Sequence, residues 1–248
     1  MADCLKIHLL ATELQPTELT GGMAVVIDVL RASTTMTVAL ANGAACVIPC
    51  GDIETARRLA AADTTGNTLT GGERGGVRIE GYDLDNSPAS YAPSIVAGKT
   101  IAFTTTNGTR ALMRVRGADR VLIGSLVNCH AVADVLQQDG RPIHLVCAGT
   151  DGRTTAEDEL GAGALAAALA DRGGLQFSDS ATVEAIERWR AASSSPERLQ
   201  TALRQSTGGR NLVALGLDAD ILRAAEVDSV RLVPEYFRET GSIVPVSL

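Results

Sequence analysis

The feature that most restricts this chain is the alternation, along most of its length, of short apolar runs with segments of helical period. Runs at 5–10, 24–30, 45–50, 68–71, 99–104, 120–124, 142–147 and 229–233, with a last one near 243–247, read as strands. Segments 34–42, 52–62, 109–116, 128–138 and 156–171 read as helices between them. The alternation predicts an α/β fold, parallel or mixed sheets flanked by helices, in a single domain over 1–248. Helices dominate from about 179 to 226, with Ser195-Pro196 and Gly208-Gly209 as punctuation, so 155–248 is expected to be helix-rich.

The chain also resembles itself. TMTVALANGAACVI from Thr35 aligns with TRALMRVRGADRVL from Thr109 at an offset of 74, pairing Gly43 with Gly117, Ala44 with Ala118 and Val47 with Val121. Each copy continues through a helix to a strand ending in glycine, TLTGGERGG and HLVCAGTDG. Any two strand-helix-strand units share part of this. The stronger reading is two similar subdomains from an internal repeat, with halves about 20–76 and 95–152, so that 24–50 and 99–124 superpose. Between them, 75–98 has little periodicity apart from Ser87-Pro88, which is expected to open one short helix. A loop that long inside a compact domain is more often functional than idle.

Composition narrows the partners. A formal charge of −7 argues against nucleic acid or a membrane surface, both of which need a basic footprint. With 45% hydrophobic but only 3% aromatic residues, the core must be built from Ala, Val, Leu and Ile. No apolar run approaches the ~18–20 residues of a membrane span. MADCLKIHLL is too short, and acidic too early, for a secretory signal. Five scattered cysteines without C-x-x-C read as reduced, mostly buried thiols, and the expected location is cytoplasmic.

Histidine is nearly absent. His8 and His144 lie in strand patterns as core or edge residues, and His130 lacks an i+4 partner. No H-x-H, H-E-x-x-H, G-x-S-x-G or Walker A pattern occurs, which removes zinc hydrolases, serine esterases and P-loop enzymes. Carboxylates, arginines, hydroxyls and glycines remain, the kit for Mg²⁺-assisted chemistry on phosphate. Asp28 ends the run AVVID at a strand's carboxyl end, where ligands gather in open α/β sheets. Arg31, Ser33, Thr34 and Thr35 follow at a helix start, an anion-binding combination, although Ser33 as a plain cap and an Asp28–Arg31 pair would explain them as well. Thr104 to Arg110, TTTNGTR, occupies the matching position in the second copy. Gly71-Gly72-Glu73-Arg74 and Ala148 to Arg153 are glycine turns at strand ends; the second leads to Glu157, Asp158 and Glu159. Acids in a first helical turn are partly explained by the helix dipole, and the remainder is cation binding.

In order, IDVLRAST, GGER, GYDLDNSP, TTTNGTRAL, IGSLVNC and CAGTDGRTTAED resemble the 2-phosphosulfolactate phosphatase family over roughly residues 22–234. The resemblance implies two similar α/β subdomains, Mg²⁺ dependence, and hydrolysis of 2-phosphosulfolactate to sulfolactate and phosphate, which serves coenzyme M biosynthesis. One departure is Asp85, where the family pattern has glycine; facing the site, it would disfavour a trianionic substrate. Carried onto these motifs, Asp28 and Glu73 are expected to be catalytic. Arg31, Arg74, Thr105, Thr106, Asn107, Arg110 and Arg153 are expected to bind a small anionic phosphorylated substrate, at least two of the arginines by direct contact. Mg²⁺ is expected on Asp28, Glu157 and Asp158, with Glu73 a further candidate and only one or two carboxylates as direct ligands. Two other readings compete. A haloacid-dehalogenase-like phosphotransferase would use Asp28 as nucleophile, but Leu30 occupies the place of its second acid. A non-catalytic sensor of a phosphorylated metabolite would keep the arginines without metal carboxylates. Oligomeric state is open, a homo-oligomer included.

Overall fold

The computed structural model describes residues 5–173 and 179–246. In chain order the elements are β1 (Leu5–His8), β2 (Met23–Ile27), α1 (Ala32–Ala41), β3 (Cys46–Pro49), α2 (Ile53–Ala62), β4 (Thr68–Arg74) and β5 (Val77–Arg78). Then come α3 (Pro93–Val96), β6 (Thr100–Thr104), α4 (Gly108–Val115), β7 (Arg120–Gly124), α5 (Cys129–Asp139), β8 (Ile143–Cys147) and α6 (Ala156–Arg172). The chain ends with α7 (Ser180–Ala192), α8 (Pro196–Gln205), α9 (Thr207–Ala214), α10 (Asp218–Ala224), β9 (Val233–Phe237) and β10 (Ser242–Val246).

The strands form one mixed sheet in the order β1-β8-β2-β7-β9-β10-β3-β6-β4-β5. One flank, β1-β8-β2-β7, is parallel within itself, and so is the other, β3-β6-β4. The antiparallel pair β9-β10 joins them, and β5 folds back on β4 as a short hairpin. The segments β2-α1-β3 and β6-α4-β7 have the same element order and cross in opposite senses, each starting in the middle of one flank and ending in the other. With β4 and β8, the flanks read β8-β2-β7 and β4-β6-β3, mirrored about β9-β10.

Side chains along each strand alternate between faces, and the two faces bury different cores. Ala24 and Val26 of β2, Val121 and Ile123 of β7, and Ile101 and Phe103 of β6 share one cluster with α1 and α4. These two helices therefore pack in a core common to both flanks. That is why α1 is buried over nearly its whole surface, Ala32 through Leu40. Leu112 of α4 is fully buried there, a burial that contributes about 1.5–3 kcal/mol. Met23, Val25 and Ile27 instead face α5 and α6, while Ala102 faces Ala56 of α2 and Tyr82.

Three local expectations change. The run 229–233 is not a strand: Val230 N–H donates to the Val127 carbonyl and Asn128 Nδ2 to the Leu232 carbonyl, so this stretch follows the 126–128 turn and the strand starts at Val233. Gly208-Gly209 does not interrupt a helix but lies in the first turn of α9, capped by Ser206. Ser87-Pro88 opens only a 3-10 turn, Pro88–Ser90. Cys46, Cys50, Cys129 and Cys147 are free thiols, as expected; Cys4 lies outside the described residues. His8 Nε2 and His144 Nδ1 are 3.0 Å apart on neighbouring strands, so these histidines bond to each other. No helix of the described residues is long and apolar enough to cross a membrane.

Candidate active site

The chain leaves β2 at Asp28 and enters α1 four residues later, so the Asp28 carboxylate lies at the open N–H groups of a helix start. Asp28 Oδ1 accepts from Ala32 N–H at 3.2 Å, and Asp28 N–H donates to Ser33 Oγ at 3.0 Å. Oδ2 points the other way, toward Gly108 at the start of α4. A β-carbon there would stand 2.7 Å from Oδ2 and 2.6 Å from Ala32 Cβ. Glycine is therefore what lets the turn after β6 close onto the turn after β2.

Three more carboxylates brace this junction. Glu73, at the end of β4, accepts from Thr106 N–H and from Gly76 N–H, both at 2.8 Å, tying the β4-β5 hairpin to the loop after β6. Asp158 accepts from Val29 N–H and Gly149 N–H, both at 2.9 Å, fastening α6 to the ends of β2 and β8. Glu157 Oε1 accepts from Gly208 N–H at 2.9 Å, while its Oε2 is buried with no hydrogen-bond partner among the described residues.

Burial of so much like charge shows in the acidities. The Asp28 carboxyl is pushed up to about 7, first by desolvation and then by the charges of Glu73 and Glu157, against the Ala32 N–H and Arg31. Asp158 is raised well above the carboxylate range by burial, then by Asp28 and Glu157. Glu157 is raised by burial.

The junction opens into a cleft of about 420 Å³. Asp28, Arg31, Glu73, Asn86, Thr106, Asn107, Thr150 and Asp151 line it together with Gly208 and Asn211 of α9 and Leu215 just after that helix. Of the expected residues, Asp28, Glu73, Arg31, Thr106 and Asn107 thus come together on its wall, with Glu157 behind Gly208. Arg31 is buried with its guanidinium engaged: Nη1 donates to Asp220 Oδ2 at 2.8 Å and Nη2 to the Gly76 carbonyl at 2.7 Å. Thr105 turns inward, its hydroxyl accepting from Thr109 N–H. Arg74 is off the wall, bonded to the Glu73 carbonyl and the Thr104 hydroxyl. Arg110 and Arg153 are exposed and are not brought to the cleft. Asp85 does not line it either; its carboxylate accepts from Ser87 N–H at 2.8 Å, and Asn86 takes the wall position.

Sequence reading did not single out Asn86, Asp151, Asn211 or Asp220. The first two lie inside motifs that were noted as loops; the others lie on α9 and α10, where nothing but long-range contact marks them. Among the described residues, no three His, Cys, Asp or Glu side chains form a ready-made metal cage. Of the four buried carboxylates, Asp28 Oδ2 and Glu157 Oε2 accept from no protein donor among the described residues, oxygens of the kind a hard cation uses when it takes one or two carboxylates and completes its shell from water and phosphate.

The family described as 2-phosphosulpholactate phosphatase matches residues 9–239. A probable 2-phosphosulfolactate phosphatase of Symbiobacterium thermophilum is 41% identical over 219 residues, 88% of this chain and 93% of that protein. Proteins of the same description from Prochlorococcus marinus and Deinococcus radiodurans are 43% identical over 215 residues and 40% over 227, covering 85% and 91% of this chain and 87% and 92% of theirs.

Proposed function

The chain belongs to the 2-phosphosulpholactate phosphatase family and is a phosphoric monoester hydrolase; from that premise we propose that its cleft hydrolyses 2-phosphosulfolactate to sulfolactate and phosphate with Mg²⁺. The observation that carries the metal half of this reading is the charge of the cleft. Asp28, Glu73 and Asp151 line it against one guanidinium, Arg31, which Asp220 already neutralises. Opposed by Glu73 and Asp151, and by Asp28 wherever it is ionised, a substrate carrying phosphate, carboxylate and sulfonate is repelled unless a cation is added. Bound Mg²⁺ would neutralise the carboxylates and draw charge from the transferring phosphoryl group.

The chain's own residues divide the remaining work. Asp28 Oδ2 and Glu157 Oε2 would hold the cation, and Asp28 would do so in its ionised form. Asp158 and Glu73, whose oxygens all accept from backbone N–H groups, hold the strand ends and the hairpin in register. Thr106 Oγ1 is buried without a hydrogen-bond partner among the described residues and would donate to a phosphate oxygen. Water adds to phosphorus and gives up a proton, the bond from phosphorus to the C2 oxygen breaks and that oxygen takes a proton, and sulfolactate and inorganic phosphate leave. Catalysis here is positioning and charge stabilisation rather than covalent chemistry. Leu30 on the cleft wall, where a second acid would be needed, disfavours an aspartyl-phosphate route. In the cell this reaction would supply sulfolactate for coenzyme M biosynthesis in the cytoplasm.

The test is phosphate release over a panel of phosphorylated 2-hydroxy acids with Mg²⁺ present. The expected result is highest kcat/KM for 2-phosphosulfolactate. Tight binding of these compounds with no phosphate released would make the chain a sensor instead.

A further inference from the structure

Asn86 is only 4% exposed, lines the cleft, and leaves its side-chain Oδ1 without a hydrogen-bond partner among the described residues. A buried polar group left unpaired is costly, and native proteins seldom keep one without a use for it. Its backbone, by contrast, is held firmly. The Asn86 carbonyl accepts from Thr35 Oγ1 at 2.8 Å, Ser87 N–H donates to Asp85 Oδ1 at 2.8 Å, and Ser87 Oγ donates to Asp220 Oδ1 at 2.5 Å. Asp220 is the carboxylate that also grips Arg31, with both side chains 3% exposed. Arg31 and Asn86 are thus presented to the cleft by one buried hydrogen-bonded unit that contains none of the carboxylates proposed to hold the cation.

We propose that Asn86 is a specificity-determining residue, whose side-chain amide binds, beside Arg31, the acid group of the substrate that is not transferred. The proposal rests on the phosphatase reading of this cleft. Unlike the buried Oδ1, the side-chain Nδ2 is not shut off from the cleft and donates to no protein group among the described residues, so the amide already presents N–H donors to a carboxylate or sulfonate. Arg31 has N–H groups to spare beyond the two engaged by Asp220 and Gly76. A neutral amide also recognises an anion without adding charge to an already acidic wall.

The experiment compares wild type with Asn86→Ala and Asn86→Asp by calorimetric binding of sulfolactate and of inorganic phosphate in Mg²⁺, with thermal melting and phosphate release from 2-phosphosulfolactate alongside. Expected for Asn86→Ala is sulfolactate affinity reduced about 10- to 100-fold, with phosphate affinity within about twofold of wild type. Asn86→Asp should lose more, because it sets a carboxylate against the acid group. The Tm of Asn86→Ala should stay within about 2 °C of wild type, since no protein hydrogen bond is lost. Unchanged sulfolactate affinity, or equal loss for both ligands, overturns the assignment, and a large fall in Tm makes Asn86 merely structural. Absence of phosphate release by a wild-type protein that still binds sulfolactate through Asn86 defeats the phosphatase reading alone. Failure of wild type to bind either ligand defeats both.

Discussion

At the scale of single residues, Asp28 concentrates the cost and the use of the site. Its carboxyl, raised from 3.8 to about 7, binds a proton more tightly in the folded chain than in the unfolded one. Between those values the folded state holds more protons, so this group makes stability fall as pH rises from about 4 to about 7, with the whole penalty present above that. Asp28→Asn removes the penalty. In chelator its Tm is expected to match wild type near pH 4 and to exceed it by several degrees at pH 8, while phosphate release falls at least about 1000-fold. Melting curves across that pH range, read with a phosphate assay, check both halves. A variant less stable than wild type at pH 8 would mean that Asp28 is satisfied rather than repelled where it stands.

At the scale of elements, the site is made by two strand-to-helix turns meeting, β2 into α1 and β6 into α4. Their closeness depends on Gly108, where any side chain would press on Asp28 Oδ2 and Ala32 Cβ. Gly108→Ala is expected to fold and to lose about 10- to 100-fold in kcat, the range a misplacement near 1 Å produces. Gly51→Ala, where a β-carbon meets nothing within 4 Å, is the matched control, and equal activity of the two would show that the turns tolerate separation. Both turns could be read from sequence because strand end, polar turn and helix start are contiguous in IDVLRAST and TTTNGTRAL. The role of each arginine was not readable. Arg31 finds its partner Asp220 189 residues away, and Ser87 reaches the same carboxylate across 133 residues. Arg110 also follows a strand end by a few residues, but it lies two residues farther along than Arg31 does, inside α4, and is exposed. Spacing reports which end of a strand a residue occupies; the direction of its side chain is settled by packing against distant elements.

At the scale of the whole molecule, two parallel flanks around a shared core bring their loops together on α1 and α4, and the C-terminal helices complete the cleft through α9. The strand-helix alternation was legible because strands such as β2 and β8 are buried on both faces, which leaves continuous apolar runs. The crossing of each segment from one flank to the other was not, since local pattern carries no record of which strand lies beside which. The same arrangement gathers a wall of carboxylates with one neutralised guanidinium, and on that imbalance the proposed need for a divalent cation rests. The most direct measurement is initial phosphate release from 2-phosphosulfolactate after exhaustive chelation, with Mg²⁺ then titrated back at pH 6 and pH 8. The account predicts negligible rate in chelator, recovery with added Mg²⁺, and a higher Mg²⁺ requirement at pH 6, where protonated Asp28 competes with the cation. Full activity in excess chelator would contradict it.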